Sequence, residues 1–196
     1  MILHRFVKII AFLLCKLFFL IRSFNKCNIL KRGGVIIACN HMSFLDPVIL
    51  GAVVFRPVNF MAKKELFDAG RVFGKFLSLL GVFSVSRGSL SKSTVKKAIK
   101  ILKSKGALVI FPEGGRSRDG SIQKGEPGCV WLARVSGASI VPVRIYGSDK
   151  ALPVNRNIFC PYPIKVVFGK PFNAAEYPDL SLENITEILM DRISEL

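Results

Sequence analysis

From residue 35 onward, short apolar runs alternate with longer stretches of helical periodicity. The runs 35–39, 58–62, 82–86, 107–111, 140–145 and 164–168 are rich in Val, Ile, Phe and Leu, the composition expected of β-strands. Between them the pattern predicts helices at 47–54, 64–80, 91–103 and 127–135. Ser181 reads as the N-cap of a last helix, with Leu182, Ile185, Leu189 and Ile193 along one side. This alternation predicts one α/β domain over residues 31–196, with a largely parallel central sheet flanked by helices. No internal repeat, low-complexity tract or interdomain linker interrupts it.

The first 26 residues follow a different rule. They are strongly apolar, yet charge breaks them so often that no run reaches the roughly 20 residues a spanning helix needs. At helical pitch, His4, Arg5, Lys8, Lys16, Arg22 and Lys26 fall within an arc of roughly 120°, and Phe, Leu and Ile fill the rest. Such a segment predicts an amphipathic helix over residues 1–30 that lies in a membrane interface, its basic side chains reaching up to the headgroups. A helix packed on the domain's own core is the competing reading. Charges inside the apolar stretch and the lack of an A-x-A-like site argue against a cleaved signal peptide.

Composition sharpens that picture. Over 196 residues, 29 Lys and Arg stand against 13 Asp and Glu, a formal charge of +16, while 51% of residues are hydrophobic. Basicity predicts an anionic partner, and basicity joined to a mean hydropathy of +0.42 suits a lipid surface better than DNA. Base-stacking aromatics interleaved with arginines are not evident, so no nucleic-acid partner is expected. Cys15, Cys27, Cys39, Cys129 and Cys160 form no CxxC pair and are odd in number, so neither a zinc site nor a disulfide framework is expected.

Polar residues collect where the predicted strands end, which is where ligands gather in open α/β sheets. The first run leads into Asn40-His41-Met42-Ser43-Phe44-Leu45-Asp46-Pro47. His41 with a carboxylate five residues later suits a general base and its orienter: Asp46 would hold one ring nitrogen while the other takes a proton from an incoming hydroxyl. The same residues also fit a plain loop histidine and an Asp N-cap followed by proline. A second cluster, Phe111-Pro112-Glu113-Gly114-Gly115-Arg116-Ser117-Arg118, offers glycines for close backbone approach and guanidinium groups suited to phosphate. Lys63 and Arg87 sit just past two further strand ends. No G-x-S-x-G elbow, P-loop or G-x-G-x-x-G turn is present, so the histidine would have to activate the substrate's own hydroxyl.

Taken together, these motifs resemble the glycerolipid acyltransferase family, which includes the 1-acyl-glycerol-3-phosphate acyltransferases. The segment from Asn40 to Asp46 is similar to that family's H-x4-D block. Ala62-Lys63-Lys64-Glu65-Leu66 resembles the lysine-bearing segment after it, Gly81 to Arg87 the second block, Phe111 to Ser117 the third, and Val141-Pro142-Val143 the fourth. The resemblance implies His41 as catalytic base and Asp46 as its partner. It further implies that Lys63, Arg87 and Arg116 bind the acceptor's phosphate and that Glu113 and Gly114 shape the acceptor site. No metal or resident cofactor is implied; acyl-CoA or acyl-acyl carrier protein would be the co-substrate. Departures lie at Gly115, where the family commonly has threonine, and at Ser84 and Ser86 in the second block.

The expectation is therefore a peripheral or monotopic enzyme on the cytoplasmic face of the cell membrane. It would transfer a fatty acyl group to 1-acyl-glycerol 3-phosphate to give phosphatidate, with the phospholipid membrane and possible acyl carrier protein as partners. Two alternatives accompany it. The acceptor could be another lysolipid, such as a lyso-ornithine lipid, or glycerol 3-phosphate; or the chain could be a non-catalytic basic membrane-binding protein.

Overall fold

A computed structural model describes residues 2–63, 74–75, 77–78, 81–85, 91–117, 119–153 and 159–196, without the side chains of residues 2–8, 11, 63, 84 and 85. Strand β2 (Val35–Cys39) forms the middle of the sheet. All five of its residues are fully buried, as expected for a parallel strand covered on both faces. It pairs in parallel with β5 (Ala107–Ile110) on one side and β6 (Ser139–Tyr146) on the other. Beyond β5 lie β3 (Val58–Lys63) and then β4 (Val82–Val85), both parallel to their neighbours. Beyond β6, the direction reverses: β7 (Lys165–Phe168) runs antiparallel, and β1 (Arg22–Phe24) adds to its far edge. The two-residue β8 (Phe172–Asn173) also pairs with β6, antiparallel. The sequence-derived sheet is thus present and mostly parallel, with antiparallel strands on the β7 flank.

Alternate residues of β2 feed two separate cores. Val35, Ile37 and Cys39 face helices α1 (Ile2–Phe19) and α2 (Asp46–Val53), whereas Ile36 and Ala38 face α3 (Lys92–Lys103), α4 (Gly128–Ser136) and α6 (Leu182–Ser194). A short α5 (Ser148–Ala151) follows β6. Ser181 is the N-cap predicted for the last helix, its Oγ accepting from the Asn184 N–H at 3.1 Å, and Ser91 caps α3 in the same way, its Oγ accepting from the Thr94 N–H at 3.2 Å. The predicted helix 64–80 falls largely outside the described residues.

The N-terminal segment needs a correction. Its helix stops at Phe19, and Leu20 turns the chain at a φ of +44°. Arg22 enters β1 and Lys26 a short 3-10 turn, so neither belongs to the helical arc of basic residues. Cys15 and Phe19 are buried against the core beside α2, while Ile9, Ile10, Leu13, Leu14, Leu17 and Phe18 are exposed. No helix among the described residues is long and apolar enough to cross a membrane.

Candidate active site

The site begins with a buried asparagine. Where β2 ends, the Asn40 side chain donates to the Ile145 carbonyl at 3.0 Å and accepts from the Ile145 N–H at 2.8 Å. One amide side chain thereby imitates a strand pairing and locks the end of β2 to β6, across 105 residues of sequence. Asn40 is 1% exposed, so Asn40→Ala would leave both Ile145 groups without partners. That substitution is expected to cost about 2–4 kcal/mol in urea unfolding and to lower kcat more than it raises KM. An unfolding free energy within about 0.5 kcal/mol of wild type would exclude this role.

His41 follows and is held on every side. Its backbone N–H donates to Glu113 Oε1 at 2.8 Å, and its carbonyl accepts from the Ser117 N–H at 2.8 Å. The imidazole stacks on Phe111 with ring centroids 4.0 Å apart. Nδ1 lies 2.8 Å from Asp46 Oδ2, which also accepts from the Met42 and Ser43 N–H groups at 2.7 and 2.8 Å. Asp46 is completely buried, whereas the His41 side chain keeps 17% exposure. With Nδ1–H donating to the carboxylate, the neutral ring carries its lone pair on Nε2. No hydrogen bond from the described residues occupies that atom. The ring is oriented like a general base, with its basic nitrogen open to a ligand.

Asp46 is not the helix N-cap that its position before Pro47 suggests. Leu45 occupies that place, and the Asp46 carboxylate turns back onto the 41–43 loop. Glu113 also has a more specific place than its motif implies. Its second oxygen accepts from the Gln123 N–H at 3.1 Å, so both oxygens clamp backbone loops around His41. Burial pushes its pKa up, against the pull of those two N–H donors. Gly114 is exposed and takes a φ of +67°, making the turn that carries the chain from the Phe111 end of β5 toward Arg116.

The Arg116 guanidinium lies 3.5 Å over the Phe44 ring, which holds it beside the His41 loop. Its Nη1 is buried and has no hydrogen-bond partner among the described residues. Desolvation lowers its pKa, and the negative charge of Asp46 opposes that shift. Lys63 is the last residue of β3, paired with Val85 of β4; its side chain and all of Arg87 lie outside the described residues. By strand order, the ends of β3 and β4 stand on the same side of β2 as the β5 loop that bears Arg116.

Other nucleophiles near the site are committed elsewhere. Ser43 Oγ donates to the Leu152 carbonyl and Ser117 Oγ to Asp119, both within 2.9 Å. The Cys39 thiol is buried, and burial together with the Asp46 and Glu113 charges raises its pKa well above the ordinary range. Among the described residues, no group of three His, Cys, Asp or Glu side chains is placed to ligate a metal ion.

Residues 21–146 match the Acyltransferase family model, a span that includes every candidate site residue. The chain is 32% identical to the 1-acyl-sn-glycerol-3-phosphate acyltransferase of Bacillus subtilis, covering 90% of this chain and 87% of that one. It is 29% identical to the protein of the same name from Borreliella burgdorferi, over 85% and 67%. The crystal structure of the 1-acyl-sn-glycerophosphate acyltransferase of Thermotoga maritima superposes with a TM-score of 0.76 at 24% identity, covering 89% of this chain and 71% of that chain.

Proposed function

The chain belongs to the acyltransferase family, and from that membership we propose that it transfers a fatty acyl group from a thioester to the free hydroxyl of 1-acyl-glycerol 3-phosphate, forming phosphatidate. The observation that carries the chemistry is the His41 Nδ1–Asp46 contact of 2.8 Å, which leaves Nε2 open. As the acceptor oxygen bonds to the thioester carbonyl carbon, Nε2 takes the hydroxyl proton, and buried Asp46 stabilises the resulting imidazolium. The tetrahedral adduct then expels the thiolate. The C–S bond breaks, and the imidazolium returns its proton to sulfur, releasing ester and free thiol.

The relatives' names motivate the choice of acceptor. The cation beside the base supports it: Arg116 is poised for a phosphate, and Lys63 and Arg87 would complete the cradle. Glu113 and Gly114 serve by shaping the loop that presents Arg116. Acyl-CoA and acyl carrier protein both satisfy the donor role.

The same reading seats the enzyme on the cytoplasmic face of the membrane. The exposed apolar side chains of α1 support it, together with exposed Val48 on α2 and the net charge of +16. The enzyme is to be mixed with anionic vesicles, labelled donors and a panel of lysophosphatidate, a lyso-ornithine lipid and glycerol 3-phosphate. We expect it to float with the vesicles and to acylate lysophosphatidate at least about tenfold faster than the other acceptors. Preference for the lyso-ornithine lipid would replace the acceptor; no flotation would remove the membrane assignment.

A further inference from the structure

Strand β6 runs past the end of β2. Cys39 pairs with Val143, and Arg144, Ile145 and Tyr146 extend beyond that point alongside the Asn40–Met42 turn. A cleft of about 680 Å³ opens there, with Asn40 and Met42, the two neighbours of His41, on one wall and Arg144, Tyr146, Lys150 and Tyr162 among the others. That volume suits a small organic ligand. The cleft lies on the β6 side of His41, while Arg116 and the end of β3 lie on the β5 side. Gly120, on the loop that bears Arg116, also lines the cleft, so the base stands where two adjoining polar regions meet.

The walls have a definite chemistry. Lys150 Nζ donates to Tyr162 Oη at 3.1 Å, and the Arg144 guanidinium sits 4.5 Å over the Tyr146 ring while donating to the Ser194 carbonyl. Neither cation forms an ion pair with a carboxylate among the described residues, although Asp149 also lines the cleft. Gly147 closes the wall. A Cβ there would meet the Pro163 carbonyl at 2.5 Å, so only glycine lets the Tyr162–Pro163 segment pack so tightly. Val143 and Ile145 face the α1/α2 core, so Arg144 and Tyr146 project to the opposite side of the sheet.

A thioester donor has an apolar end and a polar end, and its carbonyl must sit between them at His41. Its acyl chain belongs on the lipid-facing side, and the acceptor fills the Arg116 side. We infer that the cleft between Asn40, Tyr146 and Lys150 receives the phosphorylated pantetheine arm of the donor, the piece that coenzyme A and acyl carrier protein thioesters share. The phosphate meets Lys150 and Arg144, and the tyrosine rings flank the arm. This assignment rests on the acyl-transfer reading above.

The test uses thioethers that cannot transfer their chain: hexadecyl-coenzyme A, a hexadecylated holo-acyl carrier protein, and hexadecyl-pantetheine lacking phosphate. Each is titrated calorimetrically into the full chain in detergent. Wild type should bind at least one phosphorylated probe about tenfold or more tightly than the unphosphorylated one, and the tighter of the two identifies the donor. Lys150→Glu should abolish that preference, Lys150→Arg should keep it, and both should bind lysophosphatidate as wild type does. Where Lys150→Glu loses its cooperative melt, Lys150→Gln takes its place. Equal wild-type affinity for all three probes, a preference that survives loss of the Lys150 charge, or weakened lysophosphatidate binding instead would overturn the inference. A phosphate preference that depends on Lys150, with no phosphatidate formed from lysophosphatidate, would uphold the cleft and reject the acceptor.

Discussion

His41→Ala is expected to lower kcat by a factor of about 10²–10⁴ while leaving the protein folded. The imidazole reaches solvent, and its main packing partner is the Phe111 ring, so removing it disturbs one face of one loop. The loop itself is held through backbone atoms, by Glu113 on the His41 N–H and by the Ser117 N–H on the His41 carbonyl, and alanine keeps both bonds. Acceptor binding through Arg116 survives, because Phe44 rather than His41 holds that guanidinium. The loss should therefore fall on kcat, with acceptor KM changed little. Initial rates at saturating donor, read beside a thermal melt, separate this from unfolding; a rate equal to wild type would remove His41 from the mechanism.

Asp46→Asn is expected to slow the reaction over the same range of about 10²–10⁴, and also to destabilise the fold by about 2–4 kcal/mol. Three N–H donors, from His41 Nδ1, Met42 and Ser43, converge on Oδ2 of a fully buried carboxylate. An asparagine can meet them only with its oxygen, and its amide then takes the buried Oδ1 position, which has no hydrogen-bond partner among the described residues. The flipped rotamer sets N–H groups against N–H groups. In either rotamer the imidazolium loses its counter-charge. Because Asp46 acts through His41, the double variant should be scarcely slower than the slower single one, a coupling that initial rates and urea melts of all three variants resolve. Additive losses would mean that the two residues work separately.

Much of this was legible in the sequence, for reasons that particular residues make plain. β2 reads as a strand because Val35 to Cys39 is apolar throughout, and the His41–Asp46 pair reads as a candidate because both members lie in one short loop. The contacts that steady the pair are less visible. Asn40 reaches Ile145, and His41 reaches Glu113 across 72 positions, and no local period encodes such pairings. A polar side chain closing a buried apolar run was the available signal for Asn40. β1 is not legible in the sequence because Arg22–Phe24 is short and continues an apolar stretch of helical character. Only the reversal at Leu20 and the edge of β7 make it a strand. Asp-Pro at a helix start also suits an N-cap locally, but the imidazole and the Met42 and Ser43 amides take the Asp46 carboxylate instead.

Direct attack by the acceptor, with no acyl group ever resting on the protein, is the claim on which the chemistry turns. Ser43 and Ser117 donate their hydroxyl protons elsewhere, the Cys39 thiol is held protonated, and burial pushes the Cys129 thiol up to about 12. Rapid mixing of enzyme with labelled acyl thioester, in the absence of acceptor, puts this to the proof. The expected result is no burst of free thiol and no label retained on denatured protein. A burst stoichiometric with enzyme, with the acyl label bound to the chain, would contradict it.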